Sequence, residues 1–186
     1  MLLNAPNLVT LSRIILIPLL IGIYYAPLSE QTQNITATAV FVFAGITDWL
    51  DGYLARRLNQ ISAFGAFLDP VADKLIVVAA LLALLHLNRV DVIVALIIVG
   101  REIAISALRE WMAKVGQAKS VAVAFIGKLK TVAQMVAIPL LLFHEPLVGL
   151  DCQWLGTILI NVAAVLTVVS MLYYLRKALP YASVRG

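Results

Sequence analysis

Residues 48–74 read DWLDGYLARRLNQISAFGAFLDPVADK, which places four aspartates and three basic side chains in one short stretch. The chain around it is strongly apolar. Of its 186 residues 62% are hydrophobic and 13% charged, and the mean hydropathy is +0.98. Such values lie outside the range of soluble domains and indicate a polytopic membrane protein. The fold therefore turns on how this charged stretch sits in a bilayer.

Uncharged runs cover residues 14–29, 31–47, 75–88, 131–143 and 152–175. Only the last is long enough to cross unaided, so the other spans must include flanking charged residues. Spans are expected near 8–28, 33–56, 66–88, 91–113, 121–144 and 153–175. These make an all-α polytopic membrane protein of six transmembrane helices, read as one membrane domain over residues 1–186. No positive charge precedes Arg13, and no small-residue cleavage pattern closes the run IILIPLLIGIYYA (14–26), so this run is expected to be the first span rather than a cleaved leader. The single cysteine, Cys152, excludes an internal disulfide.

Charge asymmetry orients the spans. One set of connections and the C-terminal tail hold Arg57, Lys114, Lys119, Arg176, Lys177 and Arg185, whereas the opposite set holds Arg89 beside Glu30, Asp91, Glu145 and Asp151. Both termini are thus expected on the cytoplasmic side. The opening stretch then lies at the cytoplasmic ends of spans two and three, away from the bilayer centre where each charge would cost several kcal/mol. A polar chamber open to the cytoplasm would accommodate it.

The aspartates are spaced for one site. Asp48 and Asp51 are three apart, Asp69 and Asp73 four apart, so each pair shares a helix face. In an antiparallel hairpin Asp48 falls level with Asp73, and Asp51 with Asp69, within one residue. Four converging carboxylates repel one another severely unless protonated or joined by a cation. An all-oxygen set suits a hard divalent ion, Mg²⁺ first, with Mn²⁺ or Ca²⁺ as alternatives. A proton or sodium relay in a transporter is the rival reading, and the common level of the two pairs favours the metal. Gly52, Ala55 and Arg56 add a small, small, basic face suited to a phosphate-bearing ligand.

The pattern D-x2-D-G-x2-A-R-x8-G-x3-D-x3-D resembles the signature of the CDP-alcohol phosphotransferases, and Asp48, Asp51, Gly52, Ala55, Arg56, Gly65, Asp69 and Asp73 fill every fixed position. The stretches NAPNLVTLSRI, REIAISALREWM and SVAVAFIGKLKTVAQM are similar to members from Gram-negative bacteria. The resemblance implies six spans after a short amphipathic N-terminal segment, a homodimer, and a place in the bacterial cytoplasmic (inner) membrane. It implies that the four aspartates hold one or two divalent cations on the diphosphate of a CDP-linked lipid and that Asp73 acts as general base. Gly52, Ala55, Arg56 and Gly65 would line the nucleotide, with Asn7, Thr10 and Arg13 closing the cytidine end. The implied reaction is CDP-diacylglycerol plus sn-glycerol 3-phosphate giving phosphatidylglycerol phosphate and CMP. Inositol phosphate or serine stands as the alternative acceptor, and an ion-coupled transporter is the rival from another class. Membrane lipids, and no nucleic acid, complete the expected partners.

An acceptor that carries a phosphate needs a basic pocket of its own. Arg101 and Arg109 are eight apart on the fourth span, and Lys128 and Lys130 open the fifth. These four are expected to bind it. The plainer alternatives are snorkelling for the two lysines and an ion pair with Glu102 or an aspartate for Arg101. Tyr24, Tyr25, Trp111, Trp154, Tyr173 and Tyr174 fall near span ends and read as an interfacial belt.

Overall fold

The computed structural model describes residues 5–58, 63–117, 125–147 and 149–181, with side chains described throughout except at 5–9, 49–58, 63, 64, 66 and 125. Six α-helices follow one another: α1 (Ala5–Ile23), α2 (Glu30–Leu58), α3 (Ala63–His86), α4 (Val92–Lys114), α5 (Phe125–Phe143) and α6 (Cys152–Ala178). The described residues form no strand. Each helix matches one expected span. Two of them, over Ile126–Phe143 and Cys152–Tyr181, are long and apolar enough to cross a membrane by length and composition.

Local chemistry sets the boundaries. The first helix stops at Ile23, short of the expected end, and the amides of Tyr24, Tyr25 and Ala26 bond three residues back in a tightened turn that leads into Pro27. The chain re-enters a helix at Ser29, whose hydroxyl caps the Thr32 amide at 3.3 Å. Asp91 caps α4 through the Ile93 amide at 2.7 Å, and Asp151 caps α6 through the Trp154 amide at 2.9 Å. Gly116 closes α4 at φ +72°, a left-handed angle that side chains disfavour. At α1 the helix runs unbroken from Ala5, so any amphipathic segment is continuous with it within the described residues.

The packing differs from a simple run of hairpins. Helices α5 and α6 pack closely, and a Cβ at Gly156 would stand 2.8 Å from Leu141 Cγ, so no larger residue fits there. Helix α1 packs on both α2 and α3, whereas α2 and α3 touch each other little. The expected α2–α3 hairpin is splayed, with α1 laid along it. The centre is apolar (Leu20, Phe41, Leu81, Leu84, Ile98 and Ile138 are all buried), yet Arg13, Arg89, Arg101, Lys130 and Gln134 are buried too. The outer faces carry exposed Ile15, Phe43, Leu82, Leu96, Ile103, Val132 and Val165. Water-facing surfaces rarely expose so many large apolar side chains.

Arg89 ties the ends of three helices together. Its guanidinium donates to Asn34 Oδ1 at 2.9 Å and to the Leu142 carbonyl at 3.0 Å, and pairs with Glu30 at 3.2 Å. It thereby caps the C-terminal carbonyls of α5. Replacing Arg89 by Met strips buried acceptors of their donor, at a cost of about 3 kcal/mol. The expected result is a melting temperature in detergent lower by roughly 5–10 °C. Unchanged melting would show that the clamp carries no stability.

Candidate active site

Helix α1 supplies the centre of the acidic site. Thr10 and Arg13 lie three apart on one face, and both are buried. The Thr10 hydroxyl donates to Asp69 Oδ1 at 2.5 Å. One guanidinium nitrogen of Arg13 pairs with both Asp48, at 3.2 Å, and Asp73. The carboxyl groups of Asp48 and Asp73 therefore meet on one nitrogen atom, and Asp69 acts on Asp73 through its charge. The pairing of 48 with 73 across α2 and α3 is the one that equal depth requires. The side chains of Asp48 and Asp73 are 48% and 42% exposed, so this acidic pair opens to its surroundings while its arginine does not.

Carboxylates held this close need positive charge among them. The donor set is all oxygen and so fits a hard divalent ion in kind. Among the described residues no group of three His, Cys, Asp or Glu side chains is gathered for a metal ion. The side chains of Asp51, Ala55, Arg56 and Asn7 lie outside the described residues, as does everything about Gly52 beyond its place in α2. Gly65 is buried in the first turn of α3.

A cavity of about 420 Å³ joins this acidic pair to a basic wall. Arg13, Asp48 and Asp73 line it from α1, α2 and α3, and Arg101, Arg109 and Lys130 line it from α4 and α5. Arg101 is buried in mid-α4, where one nitrogen reaches Glu102 at 3.3 Å and another Ser170 Oγ of α6 at 3.4 Å. Lys130 is 2% exposed and pairs with Glu102 and, at 3.3 Å, with Gln134. Arg109 is exposed, and its guanidinium lies 5.8 Å from the ring centre of Tyr174. Tyr174, grouped with the belt by position, is fully buried instead.

Not every expected basic residue reaches the cavity. Lys128 is exposed and absent from its walls, because two helical steps turn it to the far side of α5 from Lys130. Arg101 makes the Glu102 pair that was set beside its phosphate role, and it still lines the cavity. The central place of Arg13, the acid at Glu102 and the α6 contribution through Ser170 go beyond the sequence reading. A buried arginine in a first span was the available signal for Arg13. Nothing local marks Ser170.

A model of the CDP-alcohol phosphatidyltransferase family matches residues 3–169. The chain is 49% identical over 177 residues to proteins of Salmonella choleraesuis (strain SC-B67) and Escherichia coli (strain K12), covering 94% of this chain and 94% of each relative. Both are named CDP-diacylglycerol–glycerol-3-phosphate 3-phosphatidyltransferase. With a family model spanning most of its length and relatives matched from end to end, this chain belongs to the CDP-alcohol phosphatidyltransferase family.

Proposed function

We propose that the chain transfers the phosphatidyl group of CDP-diacylglycerol to sn-glycerol 3-phosphate, forming phosphatidylglycerol phosphate and CMP. The relatives carry that activity in their names. The observation that carries the reading to this chain is a cavity lined by both an acidic pair and a group of basic side chains. A nucleotide-linked lipid and a phosphate-bearing acceptor need those two surfaces within one reacting distance.

In the reaction, a hydroxyl of glycerol phosphate attacks the phosphorus that carries diacylglycerol. The bond from that phosphorus to the oxygen of the CMP phosphate breaks, and CMP departs with the electron pair. The attacking hydroxyl loses one proton, which Asp73 is placed to accept. Arg101, Arg109 and Lys130 hold the acceptor phosphate. Asp48, Asp51, Asp69 and Asp73 would hold Mg²⁺, or Mn²⁺ in its place. Bound there, the ion would offset charge on the diphosphate. Gly52, Ala55, Arg56, Gly65, Asn7 and Thr10 form the nucleotide end, the small residues leaving room and Arg56 meeting an anionic oxygen.

The membrane setting belongs to the same proposal. It comprises six spans, both termini and the active site on the cytoplasmic side, and a homodimer in the inner membrane. The apolar outer faces support it, as does the segregation of Arg89, Glu30 and Asn34 to the end opposite the acidic pair. Buried polar side chains under an apolar exterior are the arrangement a bilayer demands.

The test is direct. Purified protein is given CDP-diacylglycerol and Mg²⁺ with glycerol 3-phosphate, inositol phosphate or serine in separate reactions, and the lipid product is identified. Phosphatidylglycerol phosphate from glycerol 3-phosphate alone is expected. Reaction with another alcohol while glycerol 3-phosphate is ignored would overturn the acceptor.

A further inference from the structure

The basic wall of the cavity contains one acid. Glu102 Oε1 takes two cations at once, Arg101 Nη1 at 3.3 Å from its own helix and the Lys130 ammonium from α5. Helices α4 and α5 do not pack against each other among the described residues. The Glu102–Lys130 pair therefore links two helices that are not otherwise packed together, and both residues line the cavity. The guanidinium groups of Arg101 and Arg109 act on Lys130 against the stronger pull of Glu102, and Lys74 acts on Glu102 from α3. Left to itself, a lysine among such neighbours would swing away from them.

An ammonium has three protons to donate. Glu102 takes one and Gln134 another, which fixes Lys130 Nζ in place and leaves the third for the cavity that Lys130 lines. We propose that Glu102 is a positioning residue for the acceptor: its carboxylate holds the Lys130 ammonium opposite Arg101 and Arg109, so that the three cations form a preset cradle for a phosphomonoester. Glu102 acts through Lys130 and makes no contact of its own with the phosphate, which like charge would repel. The inference rests on the acceptor reading of Lys130 given above.

This role predicts which kinetic constant moves. In Glu102→Gln the KM for glycerol 3-phosphate rises by about tenfold or more while the KM for CDP-diacylglycerol stays within about twofold. Glu102→Asp, which keeps the charge, recovers part of the loss. The decisive comparison is Lys130→Met against the double variant Lys130→Met, Glu102→Gln. Because the proposed role of Glu102 runs through Lys130 and not through its longer pair with Arg101, the double variant is expected to have the acceptor KM of the single one. That pair also stands if Glu102→Gln alone fails to fold around its unpaired lysine, since both members lack the ammonium. A further rise in the double variant, an unchanged acceptor KM in a folded Glu102→Gln, or a rise in the donor KM of equal size would each overturn the assignment. Failure of the acceptor reading itself shows earlier, as a wild type that makes no phosphatidylglycerol phosphate.

Discussion

Asp73→Asn is expected to lower turnover by about a thousandfold while leaving CDP-diacylglycerol bound, because an amide accepts no proton from the attacking hydroxyl. The substitution preserves shape, and its amide oxygen still accepts from Arg13, the present partner of the carboxylate. Packing is therefore untouched and the loss falls on chemistry. The half-exposed side chain faces the cavity that also holds the basic wall, so a substrate hydroxyl anchored through its phosphate has access to it. A carboxylate bound through both oxygens to a cation would be a poor base, which requires Asp73 to keep one oxygen free for the acceptor. Turnover in detergent micelles and equilibrium binding of the CDP-lipid separate the two effects. Near-normal turnover would remove Asp73 from the base role.

The second large effect is expected at Arg13. Its guanidinium, 1% exposed, is shared between Asp48 and Asp73, and no other described cation is shown paired with that couple. Arg13→Met leaves two carboxylates facing each other, and both folding and catalysis suffer. Turnover should fall by about a hundredfold, the scale of a lost charge-assisted contact in a reacting site. Arg13→Lys should lie between, since an ammonium keeps the charge but sits on a shorter side chain that reaches the two carboxylates less well. Because the deficit is one of positive charge, added Mg²⁺ should raise the melting temperature of Arg13→Met more than that of the wild type. A variant with wild-type melting and wild-type turnover would show that α1 does not serve the site.

Much of this was legible in the chain. Hydropathy located every helix, and the level of Asp48 with Asp73 followed from residue spacing alone. Other features were not legible, for physical reasons. Helical periodicity says which residues share a face of one helix, not which neighbouring helix that face meets. Arg13 and Asp73 are 60 positions apart, and Arg101 and Ser170 are 69 apart. Their contacts exist only because α1 lies along the splayed α2 and α3 and because α6 backs α4. The same periodicity, applied to α5, separates Lys128 from Lys130, a consequence that proximity in sequence conceals. Glu102 went unassigned because an acid beside an arginine reads first as its local partner, while its link to Lys130 joins two helices that are not otherwise packed together.

The central claim is that the carboxylates of α2 and α3 jointly bind a divalent ion on which transfer depends. Its most direct test is turnover of CDP-diacylglycerol and glycerol 3-phosphate by purified protein in excess chelator, followed by stepwise return of Mg²⁺, alongside calorimetric Mg²⁺ binding to the wild type and to Asp69→Asn. Activity that vanishes in chelator and returns with Mg²⁺, with binding weakened in the variant, is the predicted result. Undiminished product formation in chelator would contradict it.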